Sequence, residues 1–179
     1  MSAGPLPNRV NIRKAVTRSA RYAGELSAAQ LPQFSALLDD VNQRINVVVG
    51  FGEDDEGWQY ADVELQAVVT LECQRCLGKV ALPLDSRSRL GLVHSDEQAK
   101  HLPSGYEPLI AVDEVDLWEV AAEELALALP VVAYHPEGEC SPPGEAQQQK
   151  EDSEPSTGRR ENPFSVLSTL LGSDDTKEK

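Results

Sequence analysis

Three cysteines and one histidine carry the clearest chemistry in the sequence. Cys73 and Cys76 form a Cys-x-x-Cys pair, and Cys140 follows His135 by five positions. Thiolates and imidazole nitrogens are the ligands that Zn²⁺ takes in tetrahedral sites, and a tight turn between two strands presents two thiolates together. The four residues are therefore candidate ligands of a structural zinc ion. The sequence indicates no other cofactor.

Other roles for the Cys-x-x-Cys pair stay open, including a metal-free turn that only serves the fold. A redox pair of the thioredoxin type needs its first thiol at a helix N-terminus, whereas residues 77–80 lead into a predicted strand. The sequence also lacks a Gly-rich phosphate loop, a Gly-x-Ser-x-Gly motif and a His-Glu-x-x-His motif. We therefore expect a protein that is not an enzyme and has no small-molecule substrate.

The charge of the chain is uneven. The formal net charge is −14, yet residues 1–24 carry five cations and no acid, so the remainder carries −19. An acidic body repels phosphate backbones, and any RNA contact is expected at the basic N-terminal arm and at a second basic set near the Cys-x-x-Cys turn. Solvated surface charge is the alternative interpretation. The candidate RNA-binding residues are Arg9, Arg13, Lys14, Arg18, Arg21, Arg75, Lys79, Arg87 and Arg89.

Hydrophobic periodicity predicts the elements that position these residues. Apolar residues alternate over residues 60–72, and residues 77–93 return as a second strand, so the cysteine pair lies in a hairpin. Further strands are predicted at residues 19–26, 46–51 and 107–112. Helices are predicted at residues 28–38 and from Asp113 or Asp116 to about residue 129. The fold class is α+β: a mainly antiparallel sheet of about five strands with two or three packed helices.

The domain organisation follows from composition. Residues 1–135 are predicted to form a single domain that includes the basic arm, and residues 136–161 a disordered acidic linker. Asn162 and Pro163 are typical of a helix start, which predicts a short amphipathic helix over residues 162–171 before a flexible tail at 172–179. Its apolar face packs on the domain or binds a partner. That face consists of Phe164, Leu167, Leu170 and Leu171.

No apolar run is long enough to span a membrane, and the first twenty residues lack the apolar core of a signal peptide. The Arg-rich, acid-free start superficially suits an organelle transit peptide. Three cysteines without an export signal indicate a reducing compartment. We expect a soluble cytoplasmic protein without a membrane partner.

Several segments together resemble the bacterial YceD family, whose members are called large ribosomal RNA subunit accumulation proteins. They are residues 71–76 (Leu-Glu-Cys-Gln-Arg-Cys), 124–130 (Glu-Leu-Ala-Leu-Ala-Leu-Pro) and 162–167 (Asn-Pro-Phe-Ser-Val-Leu). Residues 95–99, residues 106–108 and the His135/Cys140 pair also match the family pattern. The resemblance covers the chain apart from the linker, and it assigns the basic arm to the domain instead of a transit peptide.

The resemblance implies a part in the accumulation or processing of large-subunit (23S-type) ribosomal RNA, without known catalysis. The partners would be ribosomal RNA or an assembly intermediate, and ribosomal proteins or assembly factors that meet the acidic body. The alternative is a protein-interaction adaptor or chaperone for ribosomal proteins, which docks through the helix at residues 162–171 without RNA contact.

Overall fold

The computed structural model describes residues 5–140, and within them seven strands and four short helices follow one another. Strands β2 to β6 form one sheet in sequential order, and β1 pairs with β7 in a separate two-stranded ribbon. The elements are β1 (Arg9–Asn11), α1 (Ile12–Thr17), β2 (Arg21–Ser27), α2 (Pro32–Ser35), β3 (Arg44–Glu53), β4 (Gln59–Glu72), β5 (Lys79–Val93), α3 (Asp96–Ala99), β6 (Glu107–Ile110), β7 (Glu114–Asp116) and α4 (Leu117–Ala128).

The hairpin of β4 and β5 is the longest feature of the sheet. The two strands pair antiparallel from Tyr60 opposite Gly91 to Glu72 opposite Lys79, and residues 73–78 connect them. Every second side chain of β4 is buried, from Ala61 to Val69, as the alternation in the sequence predicts. This register places the Cys-x-x-Cys turn at one end of the sheet.

The sheet buries one face and exposes the other. Its inner face packs against α1, α2 and α4 in a continuous core whose largest fully buried side chain is Phe34. β2, β3, β4 and β5 pair antiparallel, whereas β6 runs parallel to β5 and forms one edge of the sheet. This is the α+β architecture with a mainly antiparallel sheet that the sequence predicts.

The basic N-terminal arm is built into this domain. β1 pairs antiparallel with β7, with Arg9 opposite Asp116, and α1 places Ile12, Ala15 and Val16 in the core. Asn11 caps α1, because its side-chain oxygen accepts a hydrogen bond from the backbone N–H of Lys14 at 3.1 Å. The cations of the arm therefore project from a fixed strand and helix.

The helix predicted at residues 28–38 is broken. A 3₁₀ turn covers residues 28–30, and Leu31 leaves the helical region before Pro32 begins α2. A residue that precedes proline is disfavoured in the helical conformation, and Pro32 has no N–H to continue the turn. The strand predicted at residues 107–112 ends at Ile110, and α4 begins after its cap Asp116 and ends at Ala128.

Residues 136–140, which were predicted to start the linker, lie within the described part of the chain, and the side chain of Cys140 is half-buried there. The remainder of the predicted linker, the helix at residues 162–171 and the tail lie outside the described residues. None of the described helices has the length and apolar character required to cross a membrane.

Candidate metal centre and basic surface

Cys73, Cys76, His135 and Cys140, the four predicted ligands, come together in one cluster. One ligand atom from each lies within 4.8 Å of all the others. The hairpin turn supplies two of them, and the segment after α4 supplies the other two. A backbone hydrogen bond from the N–H of Gln74 to the carbonyl of Ala133, 2.9 Å long, joins the turn to that segment. The cysteines are free thiols.

Two of the distances between ligand atoms match the edges of a tetrahedral metal site, and all the others are within 4.8 Å. The Sγ atoms of Cys73 and Cys140 are 3.8 Å apart, and Cys76 Sγ lies 3.4 Å from His135 Nδ1. Metal–sulfur bonds of about 2.3 Å and a metal–nitrogen bond of about 2.0 Å, at tetrahedral angles, require edges of about 3.8 Å and 3.5 Å. The cluster could therefore hold a metal ion with little movement of its side chains.

The histidine is oriented for this role. Its Nε2 atom lies 3.1 Å from the backbone carbonyl oxygen of Lys79, which can only accept a hydrogen bond. Nε2 is therefore the protonated nitrogen in this arrangement, and Nδ1 turns its lone pair toward Cys76. A hydrogen bond from the second ring nitrogen to a carbonyl is the usual support of a metal-binding histidine.

The backbone of the turn adds to the site. The N–H of Leu77 donates to the carbonyl of Cys73 at 2.8 Å, and the N–H of Cys73 donates to the carbonyl of Gly78, also at 2.8 Å. This closure holds Leu77 in the left-handed region with φ of 59°. That conformation costs a residue with a side chain about 1–2 kcal/mol, so the surrounding turn must impose it.

The thiols differ in their protonation. Burial raises the pKa of Cys73, but hydrogen bonds from backbone N–H groups, first those of Cys76 and Arg75, outweigh it and lower this pKa to about 5. Burial and the neighbouring sulfur atoms raise the pKa of Cys140 to about 11. The backbone of the turn thus favours the thiolate form of Cys73, which is the form that binds metals. The cluster contains four ligands around one centre, as structural sites do, and it lies before a strand and not at a helix N-terminus.

The structure divides the nine predicted RNA-binding residues into two groups, although all nine are exposed. Four of them form ion pairs within 4.0 Å: Arg9 with Asp116, Arg21 with Glu64, Arg87 with Asp85 and Arg89 with Asp62. Five form no ion pair with any residue from 5 to 140: Arg13, Lys14, Arg18, Arg75 and Lys79. Unpaired cations keep their full attraction for phosphate, so the second group is the better candidate surface.

Three cations of the arm surround one cleft. Arg9, Lys14 and Arg18 line a cavity of about 220 Å³ together with the half-buried ring of Tyr22. The ring of Tyr22 is held edge-on against Phe51, with the ring centroids 6.0 Å apart. We call this cavity the basic cleft. It combines positive charge with an aromatic side chain, which are the two features that single-stranded nucleic acid binds.

Arg89 has a different environment, which the sequence does not reveal. Its guanidinium forms two hydrogen bonds with Asp62, of 2.6 and 2.8 Å, and lies 4.5 Å from the ring centroid of Tyr60. The Asp62 hydrogen bonds raise its pKa further above the usual range. Tyr60 pairs with Gly52 on β3, and a Cβ at Gly52 would stand 2.6 Å from Tyr60 Oη. The guanidinium of Arg89 is therefore held by contacts within the protein.

Tyr106 completes the same corner of the sheet. Its hydroxyl donates a hydrogen bond of 2.6 Å to Oδ2 of Asp54, in the turn between β3 and β4. This bond lowers the pKa of Asp54 and raises that of Tyr106. The pair is 52 positions apart in sequence, so only the folded sheet brings it together. Phe164, Leu167, Leu170 and Leu171, predicted to bind a partner, lie outside the described residues.

The fold and the cluster define a class: a small α+β protein in which a Cys₃His cluster that could hold a metal ion joins the turn between β4 and β5 to the segment after α4. The family model described as "Large ribosomal RNA subunit accumulation protein YceD" matches residues 61–171. A Haemophilus influenzae protein of that name is 32% identical over 168 residues, which cover 92% of this chain and 95% of the relative. The chain belongs to the YceD family, as its resemblance predicts. No solved structure is significantly similar.

Proposed function

We propose that this protein is a non-catalytic, cytoplasmic accessory factor of ribosome biogenesis that contacts large-subunit (23S-type) ribosomal RNA or an assembly intermediate through the basic cleft. Membership of the YceD family supports the process, because the family description names the accumulation of large-subunit ribosomal RNA. The observation that carries the RNA contact is the cleft itself, where Arg9, Lys14 and Arg18 surround Tyr22.

The distribution of charge favours an RNA contact at the basic cleft over the rest of the surface. The chain outside its first 24 residues carries −19, so most of the surface repels a phosphate backbone. The cleft places three cations around one cavity. Arg13, which precedes Lys14 on α1, adds a fourth. Three or four phosphate contacts to a single strand give a slope of about −2 to −3 in a plot of log affinity against log salt. Tyr22 provides a ring for a base to stack on.

We further propose that the Cys₃His cluster binds zinc as a structural ion. Cys73, Cys76, His135 and Cys140 fill four coordination positions, and their spacing fits zinc bond lengths. The ion would fasten the segment after α4 to the turn between β4 and β5. It is not assigned a catalytic role, because a site closed by four protein ligands leaves no position for a substrate or water.

Binding of a fluorescein-labelled single-stranded fragment of 23S ribosomal RNA, followed by anisotropy at several salt concentrations, tests the RNA contact. We compare two triple variants of equal charge change. The first replaces the cations of the cleft: Arg9→Ala, Lys14→Ala and Arg18→Ala. The control replaces three exposed arginines that form ion pairs: Arg21→Ala, Arg44→Ala and Arg87→Ala.

We expect the cleft variant to lose at least about tenfold in affinity and to flatten the salt dependence by about two units of slope. The control should change both quantities less, because all three of its arginines form ion pairs with carboxylates, whereas in the cleft only Arg9 does and Lys14 and Arg18 have no ion-pair partner among residues 5–140. Equal losses in the two variants would contradict the proposal, since they would show only a general charge effect. If the wild-type protein binds no RNA but still retains ribosomal partners in a nuclease-treated lysate, the adaptor alternative replaces it.

A further inference from the structure

A groove on the other side of the ribbon β1–β7 has the opposite character to the basic cleft. It lies between the edge strand β6 and helix α4 and has a volume of about 380 Å³. Leu109 and Val120 form part of its apolar lining, and Glu114, Glu119 and Glu123 contribute carboxylates. We call it the acidic groove. Ile110, which also lines it, is 51% exposed, so the edge of the sheet presents apolar surface at this place.

Three of the four carboxylates that line the groove lack cationic partners, and the fourth, Asp116, pairs with Arg9. Within residues 5–140, no arginine, lysine or histidine lies within 4.0 Å of Glu114, Glu119 or Glu123. All three are exposed, and so is Glu107 at the start of β6. Exposed acids alone are ordinary on an acidic protein, and they do not identify a site. A second observation is therefore needed.

Glu124 provides that observation: it does not line the cavity itself, but its charge lies near that of Glu123, which does. It is only 7% exposed and is the one buried charged residue between positions 5 and 140. It follows Val120 by one helical turn, so the two lie on the same face of α4. No described residue forms a hydrogen bond or ion pair with its carboxylate. The hydroxyl of Ser88 beside it is also buried and lacks a hydrogen-bond partner within the described part of the chain.

The surroundings of Glu124 disfavour its charged form. Burial raises the pKa of Glu124, and the nearby charges of Glu107 and Glu123 raise it too. Ser88 lowers it by less than burial raises it, and the Ser88 hydroxyl falls short of hydrogen-bond geometry. Buried acids in folded proteins normally meet a cation or several donors. A cation placed between Glu107, Glu123 and Glu124 would supply what the described residues do not.

We propose that the acidic groove binds an extended, Lys/Arg-rich segment of a partner protein, with one of its cations at Glu124 and its aliphatic side-chain stems on the apolar floor. Long basic side chains cover apolar surface with their methylene groups while their charged ends reach carboxylates, which matches this lining. Pro108 in β6 removes one donor from the strand edge, so side chains and not a continuous backbone ladder carry the recognition.

The charge of the groove decides between occupants. A second copy of this chain is strongly acidic, and an RNA strand is more so, and the rim carboxylates repel both. A basic protein segment is attracted. The inference uses a surface that the proposed RNA contact does not use, so either proposal can fail while the other stands.

Fluorescence anisotropy with the full-length protein tests the groove. The probe is a fluorescein-labelled peptide, Lys-Val-Arg-Val-Lys-Val-Arg, and the control peptide has Gln at each basic position. The groove variant is Glu119→Lys with Glu123→Lys. A matched variant, Asp55→Lys with Glu56→Lys, makes the same charge change in the exposed turn between β3 and β4. Glu124→Gln in a third variant removes the buried charge without a change of shape.

We expect the basic peptide to bind and the Gln peptide not to bind. Charge reversal in the groove should weaken binding at least about tenfold, the turn variant should weaken it less than about threefold, and Glu124→Gln should fall between them. Thermal unfolding of each variant checks that the fold is retained.

Three results would overturn the proposal: no binding to the wild-type protein, equal losses in the groove and turn variants, or no loss in the groove variant. Outside the described residues the chain carries a basic pair of its own, Arg159 and Arg160. If replacing both by Ala strengthens peptide binding about tenfold, the chain's own segment is the occupant and the partner assignment is wrong.

Discussion

Removal of one cluster ligand provides a direct test of the zinc proposal. Cys140→Ser keeps the size of the side chain but removes one of four metal-binding atoms. An ion that binds only the folded state stabilises it by RT ln(1 + [Zn]/Kd), which is about 2.7 kcal/mol when free zinc is a hundred times Kd. For a chain of this length each kcal/mol corresponds to about 2–4 °C in Tm. Saturating zinc should therefore raise the wild-type Tm by about 5–11 °C.

The assay is thermal unfolding followed by circular dichroism under reducing conditions, with free zinc set by chelator buffers. The wild-type Tm should rise with the logarithm of free zinc, and the Tm of Cys140→Ser should stay nearly constant. The variant should still fold without zinc, because the main core does not include the four ligands and only a small second cluster, Cys73 with Val80 and Ala133, adjoins the site. Elemental analysis should give one zinc per chain for the wild type.

Gln74→Ser is the matched control, because Gln74 is an exposed residue of the same turn and contributes no ligand atom. It should keep the zinc dependence of the wild type. The reasoning is refuted if the wild-type Tm does not respond to zinc, or if Cys140→Ser responds as strongly as the wild type. Either result would return the cluster to the alternative of a metal-free turn.

Two further predictions concern the solvent-facing side of the sheet. Gly52→Ala would place a Cβ 2.6 Å from Oη of Tyr60, so it should lower the free energy of unfolding in urea by about 1–3 kcal/mol. Gly50→Ala is the control and should be tolerated, because its Cβ meets nothing closer than 4.0 Å. Similar costs for both would mean that the ring moves aside freely. Tyr106→Phe should raise the pKa of Asp54 toward its ordinary value of 3.8, because it removes the hydrogen bond that lowers this pKa. The stabilisation from this bond is present above pH 3.8 and is lost as the pH falls through the lowered pKa. Acid unfolding of the variant should therefore begin at a higher pH. An Asp54 pKa that NMR titration finds unchanged in the variant would contradict the bond.

Local patterns in the sequence were sufficient for the sheet and for the cluster ligands. The alternation from Val63 to Val69 predicts a half-buried strand because a strand has a period of two, and the fold confirms it. The four candidate metal ligands could be identified by type, since few side chains bind soft metals. Their approach within 4.8 Å depends on where α4 ends, which the sequence indicated through Pro130 but did not determine.

The other features of the site depend on strand register and on the burial of side chains, which a single sequence does not show. Arg89 was predicted to bind RNA because it is a cation near the turn, and that role stays a prediction; its ion pair with Asp62, which follows from strand pairing, could not be foreseen. Glu124 was not singled out, because it adjoins Glu123, which is exposed, and its burial follows from the rotation of α4 against β5. The helix predicted across Pro32 failed because the apolar spacing was given more weight than the restriction on Leu31.

The ribbon of β1 and β7 brings a basic and an acidic surface close together. Arg9 lines the basic cleft and Asp116 lines the acidic groove, and the two are paired opposite each other with 4.0 Å between their charged atoms. A polyanion and a polycation held at these two surfaces would face each other at high effective concentration. If both proposed contacts form, an RNA strand and a basic protein segment would lie side by side on this ribbon.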